Sequence, residues 1–299
     1  MRTVGIMCVR DEADLLPQVY QYIRRNVDFL YAYDDGSQDD TWEYIKHSDY
    51  AIRAVDDKNR LDIYRPNYHH LLEKIKQDFK GEDVWAIIAM GDRFFLNTLP
   101  RAIVRGAISA GYEGVNGTQL DFLRHRCDPW TEENDPWPDM SEIRKICSWC
   151  RVDEQCIVAY KVTDETSYLK SKYPWPRGIK SVQYNYKDMG NKLCVEMPFL
   201  EHVGRRSPKA AMWRKESGSR PVSKKHDHLK FGSVEEVIAT QKGFYEAYKV
   251  LPWVGLETLH KLVEMYNEEN WQKPVQRRYF FWGLEQALEY GWRHERTDV

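Results

Sequence analysis

The sequence predicts an α/β domain on a mostly parallel sheet flanked by helices, continued by a helical C-terminal extension. Short apolar runs alternate with helical periodicity over roughly the first hundred residues, which is the pattern of βαβ units. Three of those runs stop at acidic residues: Val9 before Arg10-Asp11-Glu12, Tyr33 before Asp34-Asp35, and Met90 before Gly91-Asp92. From about 233 to 295, Trp, Tyr and Leu recur every three or four residues, the period of a helix. We place the domain at 1–215 and the extension at 216–299.

The elements follow in order. Residues 3–9 are apolar and short, a first strand rather than a leader, because Arg10-Asp11-Glu12 follows at once. Asp14 to Arg25 carries Leu15, Leu16, Val19, Tyr20 and Ile23 on one helical face, with Pro17 in the first turn. A strand at 28–33, a helix from Asp39-Asp40-Thr41 to about His47, a strand at 51–55, a helix at 67–80 and a strand at 84–90 come next. Residues 112–123 alternate well enough for another strand. Three prolines make 128–140 an irregular loop, and 155–200 reads as several short strands. The polar, basic stretch 204–230 reads as a loop that a ligand orders. Ile143 to Trp149 reads as helical.

Composition narrows the function classes. The 299 residues are 42% hydrophobic and 30% charged, with a net charge of −2. There is a core to build, and no overall basic field for generic nucleic-acid binding. No run approaches the ~18 apolar residues of a membrane span. Six cysteines without a secretory signal suggest reduced thiols and a cytoplasmic protein. Cys147, Cys150, Cys156 and Cys127 match no common zinc spacing and read as ordinary thiols. No Gly-x-Gly-x-x-Gly or Walker-type loop is present. Eleven Trp and 19 Tyr serve a large core, and some rings could line a sugar or base site.

The acidic strand ends carry the chemistry. Asp34-Asp35-Gly36-Ser37-Gln38-Asp39-Asp40-Thr41 also suits a turn and a helix cap, but it directly follows a buried run. In an open α/β sheet, ligands bind outside the carboxyl ends of the strands, where Glu12, Asp35 and Asp92 would meet.

Arg10-Asp11-Glu12 before a Leu-containing helix, the Asp35-Gly36-Ser37 segment, and Gly91-Asp92-Arg93-Phe94-Phe95 together resemble the inverting family 2 glycosyltransferases of the GT-A fold. The likeness covers residues 3–96 well and 112–214 loosely. It implies a transfer from a nucleoside diphosphate-sugar, most plainly a UDP-sugar, to an acceptor hydroxyl. Glu12 and Asp35 would hold the nucleoside. A divalent cation, Mn²⁺ or Mg²⁺, would be bound by Asp92 and His202, with Met90 standing where the family has its first Asp and Arg93 where it has Glu. Arg205, Arg206 and Lys209, followed by Arg214, would hold the phosphates. Asp121 is the candidate general base, with Glu132, Glu133 and Asp135 as alternatives.

The acceptor is not legible: a glycan, a protein, a small molecule or a modified nucleic-acid base all fit, the last because of the local cations after 204. The alternative reading is a binding or scaffold protein that keeps the fold without catalysis, and Met90 favours it. A nucleotidyltransferase would carry a Gly-rich loop where this chain has Arg10-Asp11-Glu12.

Overall fold

The first strand, β1 (Arg2–Val9), is buried along its length and divides the molecule into two layers. This computed structural model describes residues 1–54, 64–95, 99–109, 111–124, 130–138, 143, 147–164, 166, 193–194, 199–202, 207–217, 233–236, 238–239, 251–252, 257–258 and 261. Further elements are α1 (Leu16–Asn26), β2 (Phe29–Asp34), α2 (Thr41–Ile45), β3 (Tyr50–Arg53), α3 (Tyr64–Asp78), β4 (Val84–Ala89), β5 (Arg93–Phe95) and α4 (Pro100–Ser109). After them come β6 (Gly114–Leu123), β7 (Trp149–Lys161), β8 (Leu193–Cys194), β9 (Phe199–His202), α5 (Pro208–Glu216) and β10 (Leu251–Pro252).

Side chains alternate across a strand, so β1 and β4 feed both layers. Val4, Ile6 and Cys8 with Val84, Ala86 and Ile88 face Tyr68, Leu71, Leu72 and Ile75 of α3, spaced as one helical stripe. Met7 and Val9 with Trp85, Ile87 and Ala89 face Leu16, Val19 and Ile23 of α1, Ile45 of α2 and Val104 of α4. Each fully buried aliphatic side chain contributes about 1.5–3 kcal/mol, so a strand with no exposed face must lie at the centre. Gly5 lets α1 approach, because a Cβ there would sit 2.9 Å from Leu30 Cδ1 and 3.2 Å from Ile23 Cγ2.

The strand order is β3-β2-β1-β4-β7-β6-β9-β5, with β10 beside β7 and β8 beside β6. The pairs β3–β2, β2–β1 and β1–β4 are parallel. The α/β class with a mostly parallel first half is therefore as expected, and the first four strands and three helices fall where periodicity put them.

Other expectations are corrected. The stretch from 155 begins inside one long strand, Trp149–Lys161, so Trp149 opens β7 rather than closing a helix. Part of the supposed loop 204–230 is α5: Ser207 Oγ accepts a bond from Ala210 N at 3.0 Å and Pro208 starts the helix. Leu251–Pro252, inside the stretch expected to be helical, pairs antiparallel with Cys150 and Trp149; most of the remaining extension lies outside the described residues. The helix α4 and strand β5 were not anticipated, although Pro100 at a helix start was available as a signal. No helix among the described residues is long and apolar enough to cross a membrane. Cys147 and Cys150 are buried within the core.

At the amino edge of the sheet, Asp28 joins three elements. Its Oδ2 accepts bonds from Thr3 N at 2.8 Å and Thr3 Oγ1 at 2.9 Å, and its Oδ1 accepts one from Arg101 Nη2 at 2.8 Å. Partial burial acts to raise this carboxyl, but the Thr3 bonds and the charges of Arg101 and Arg2 outweigh it and hold it below 3.8. A depressed folded value means stabilisation that is present above 3.8 and lost as pH falls through the folded value. Asp28→Ala is expected to cost about 1–2 kcal/mol at neutral pH. Urea titrations across pH should show its stability falling less steeply than that of the parent below pH 3.8.

Candidate functional site

Strand direction decides what meets at the carboxyl edge. β7 runs antiparallel to both β4 and β6, β9 is parallel to β6, and β5 is antiparallel to β9. The ends of β1, β2, β4, β6 and β9 and the start of β5 therefore share one edge. The chain leaves β1 for β2 on one side and returns through α3 to β4 on the other, a switch in strand order that opens a crevice. Gly91, after β4, lies against the loop after β1: a Cβ there would sit 3.0 Å from Glu12 Cγ and 3.1 Å from Val9 Cγ1.

The loops after β1 and β2 are laced together. Asp11 adopts φ 53, a left-handed conformation that Asp tolerates better than most residues. Its N–H donates to Ser37 Oγ at 3.0 Å, and its Oδ1 accepts from Gln38 N at 2.7 Å. Gly36, with φ 77, turns the chain so that Ser37 N reaches Asp34 Oδ1 at 3.0 Å, where the Ser37 hydroxyl also donates. Asp34 is also paired with Arg53 Nε at 3.0 Å. Burial pushes the Asp34 carboxyl up from its ordinary value, against the opposing Ser37 bonds and Arg53 charge. Asp39 accepts Ala13 N at 3.0 Å and Thr41 N at 2.9 Å, and burial pushes it up as well.

Glu12 and Asp35 are held differently. Glu12 is 6% exposed, its N–H donates to Thr41 Oγ1 at 2.8 Å, and its Oε2 meets Arg214 Nη2 at 3.3 Å. Asp35 receives Arg10 Nη1 on Oδ2 at 3.3 Å and Asn67 Nδ2 on Oδ1 at 2.8 Å. Arg10 and Asn67 are themselves buried. Beneath them, burial first and the Asp35 charge second push the Cys8 thiol up.

Helix α5 reaches this corner from 200 residues away. Arg214 Nη2 donates to Asp11 O at 2.6 Å and lies 3.9 Å from Asp14 Oδ1. At its other end, Asp135 Oδ2 accepts Lys209 N at 3.0 Å and Asp135 Oδ1 accepts Ser207 Oγ at 2.5 Å. Trp213 lies on Trp137, ring centroids 6.2 Å apart. Asp135, weighed as a base, thus caps a helix. Lys209 Nζ donates to Glu132 O at 3.1 Å, so its ammonium faces the 130–138 loop. Glu132 and Glu133 are exposed. Arg205 and Arg206 lie outside the described residues.

A second row of site positions crosses the strands. Arg93 pairs in register with His202, His202 with Asp121, and Asp121 with Arg151. Asp92 immediately precedes that row and lies 4.0 Å from Arg93 Nε. Asp121 is 5% exposed and its Oδ1 accepts from Gln119 Nε2 at 3.4 Å. Met90 packs against the cluster formed with α3. Among the described residues no three His, Cys, Asp or Glu side chains form a metal-holding group. A protein-only cation shell is therefore not assembled from the described residues.

No family model and no curated protein matches the chain. Among solved structures it is similar to S. aureus TarS, with TM-score 0.37 and 10% identity over 82% of this chain and 44% of that one, so it spans less than half of TarS. It is also similar to glucosyl-3-phosphoglycerate synthase from Mycobacterium tuberculosis in complex with Mn²⁺, uridine diphosphate and glucosyl-3-phosphoglycerate, with TM-score 0.35 and 17% identity over 68% and 73% of the two chains. Likeness at this level carries no residue-by-residue correspondence.

Sequence reasoning missed Arg10, Asn67 and Arg53. A buried arginine beside an acidic pair was a usable hint; nothing local pairs Asn67 with a residue 32 positions earlier. Because a Cβ at 91 would press on Glu12, Gly91→Ala should move that carboxylate by a few tenths of an ångström. The expected result is a melting temperature within a few degrees of the parent, with ligand affinity at the crevice, read by calorimetry, reduced about tenfold or more.

Proposed function

We propose that the chain is a glycosyltransferase using a nucleoside diphosphate-sugar donor, with residues 1–215 as the catalytic domain and 216–299 as an extension that lends Leu251–Pro252 to the sheet. The observation that carries this reading is the shared carboxyl edge: Glu12, Asp35, Asp92, Asp121 and His202 come from five separate segments and all fall at one edge beside a switch in strand order. A structural turn-and-cap role accounts for Asp34 and Asp39, whereas Glu12 meets Arg214, and Asp35 meets Arg10 and Asn67.

In this reading Glu12 and Asp35 hold the nucleoside, and Arg205 and Arg206 are assigned to the phosphates, while Lys209 ties α5 to Glu132. Asp121 takes the proton of the acceptor hydroxyl as its oxygen attacks the anomeric carbon from the face opposite the diphosphate. The anomeric C–O bond breaks with its electron pair leaving on the diphosphate, which inverts the centre. Asp92 and His202 would hold a divalent cation, Mn²⁺ or Mg²⁺, which when bound neutralises charge on the leaving group. The acceptor carries a hydroxyl; the row Arg93–His202–Asp121 is where it would approach.

Thermal shift against UDP-, GDP-, CDP- and dTDP-sugars, with Mn²⁺ and with chelator, tests the reading. A donor at about 100 times its Kd adds about 2.7 kcal/mol, a shift of several degrees. The shift should vanish in Asp35→Ala and lose only its Mn²⁺-dependent part in Asp92→Ala. No shift with any donor overturns the proposal. Met90, packed against the apolar cluster where the resemblance expects another carboxylate, favours a second reading in which the site binds donors without turnover. A shift with no release of nucleoside diphosphate by hydrolysis, or with any acceptor hydroxyl tried, would select it.

A further inference from the structure

We propose that Asn67 is a positioning residue that makes the crevice select a base carrying an imide N–H, uracil, over cytosine, by holding Asp35 as an acceptor. This rests on the donor reading above and deepens it.

Asn67 is 1% exposed at the start of α3, one residue before Tyr68, which packs with Leu71, Leu72 and Ile75 on the sheet. The helix is therefore fixed against β1 and β4, and Asn67 with it. Its amide donates to Asp35 Oδ1 at 2.8 Å while Arg10 donates to Oδ2 at 3.3 Å. Asn67 on one oxygen and Arg10 on the other set the plane of the carboxylate. An amide NH₂ and a guanidinium can only donate, so the group they grip presents acceptors and no donor. A carboxylate has about four acceptor sites, so it can still receive a ligand N–H.

The two pyrimidines differ at that point. Uracil offers N3–H between two carbonyl oxygens; cytosine has a bare N3 lone pair there, which would face the Asp35 oxygens with no proton between. Sites built to pair with a donor discriminate strongly against an analogue that lacks it. A hydrogen bond to a charged group is worth about 1.5–3 kcal/mol, or roughly 10- to 150-fold. Asn67 and Arg10 fix the acceptor, and the base supplies the proton.

Calorimetric titration of the full chain with UDP and with CDP, at pH 6 and pH 8, tests this. The parent should prefer UDP by about 100-fold at both values. In Asn67→Ala the carboxylate loses its anchor on one side, and UDP should weaken about tenfold while CDP changes little. In Asn67→Asp two carboxyl groups face each other and share a proton, so the pair can now donate. CDP should gain, the UDP-to-CDP ratio should fall toward unity, and it should be lower at pH 6 than at pH 8. The Cys8 thiol, pushed up by burial and by Asp35 and hydrogen bonded to Tyr68, remains protonated across that range. Melting curves without ligand confirm that each variant folds. If Asn67→Asp does not fold, the ratio in Asn67→Ala decides. A ratio within twofold of the parent in the folded variants overturns the assignment while leaving the donor reading intact. Binding of neither nucleotide by the parent overturns both.

Discussion

Backbone N–H groups captured by carboxylates hold the corner on which everything else depends. Asp11 takes Gln38 N, Asp34 takes Ser37 N, and Asp39 takes both Ala13 N and Thr41 N. The Ser37 bond is buried and the other three partly so, and a fully buried N–H without a partner would cost about 1–3 kcal/mol. The acidic residues crowding positions 34 to 40 are in part an answer to that cost. With the loops locked by Asp11, Asp34 and Asp39, Glu12 and Asp35 are held by Arg214, Arg10 and Asn67 instead. A cluster of like charges thus divides into a scaffold and a pair of groups aimed by cations and an amide.

The sheet supplies the rigidity beneath that corner. β1 is covered on both faces, by α3 on one and by α1 on the other, so its end cannot tilt without disturbing two apolar layers. Close packing transmits such displacements rather than absorbing them. Gly91 brings the end of β4 to the same spot, and the absence of a side chain there is what allows two loop ends to touch.

Much of this was legible in the residues. The alternation of apolar runs and helical stripes places β1 to β4 and α1 to α3, because a strand covered on both faces has to be continuously apolar and a covering helix has to carry a stripe. The acidic residues that follow those runs all lie at the carboxyl edge of the sheet. The rest was hidden for physical reasons. Strand β7 is long and antiparallel, and its partners lie at distant positions, so its local sequence reads as several short strands. Helix α5 is polar along most of its surface and was read as a loop; its Ser-Pro start was the better guide. The partners of Asp35 come from residues 10 and 67, and pairings across such separations leave no periodic trace. Asp135 looks like a solvated loop carboxylate until α5 is seen to begin beneath it.

Arg214 reaches Asp11 and Glu12 from 203 and 202 residues along the chain. That separation bears on how the protein is made. Closing so long a loop is entropically costly, and contacts of this kind form late. During synthesis, β1 to β4 and the loops after them emerge well before α5 leaves the ribosome, so the acidic corner is made long before the arginine that joins it. The acidic corner stands without its distal arginine through that interval, and the crevice is finished only once α5 has emerged.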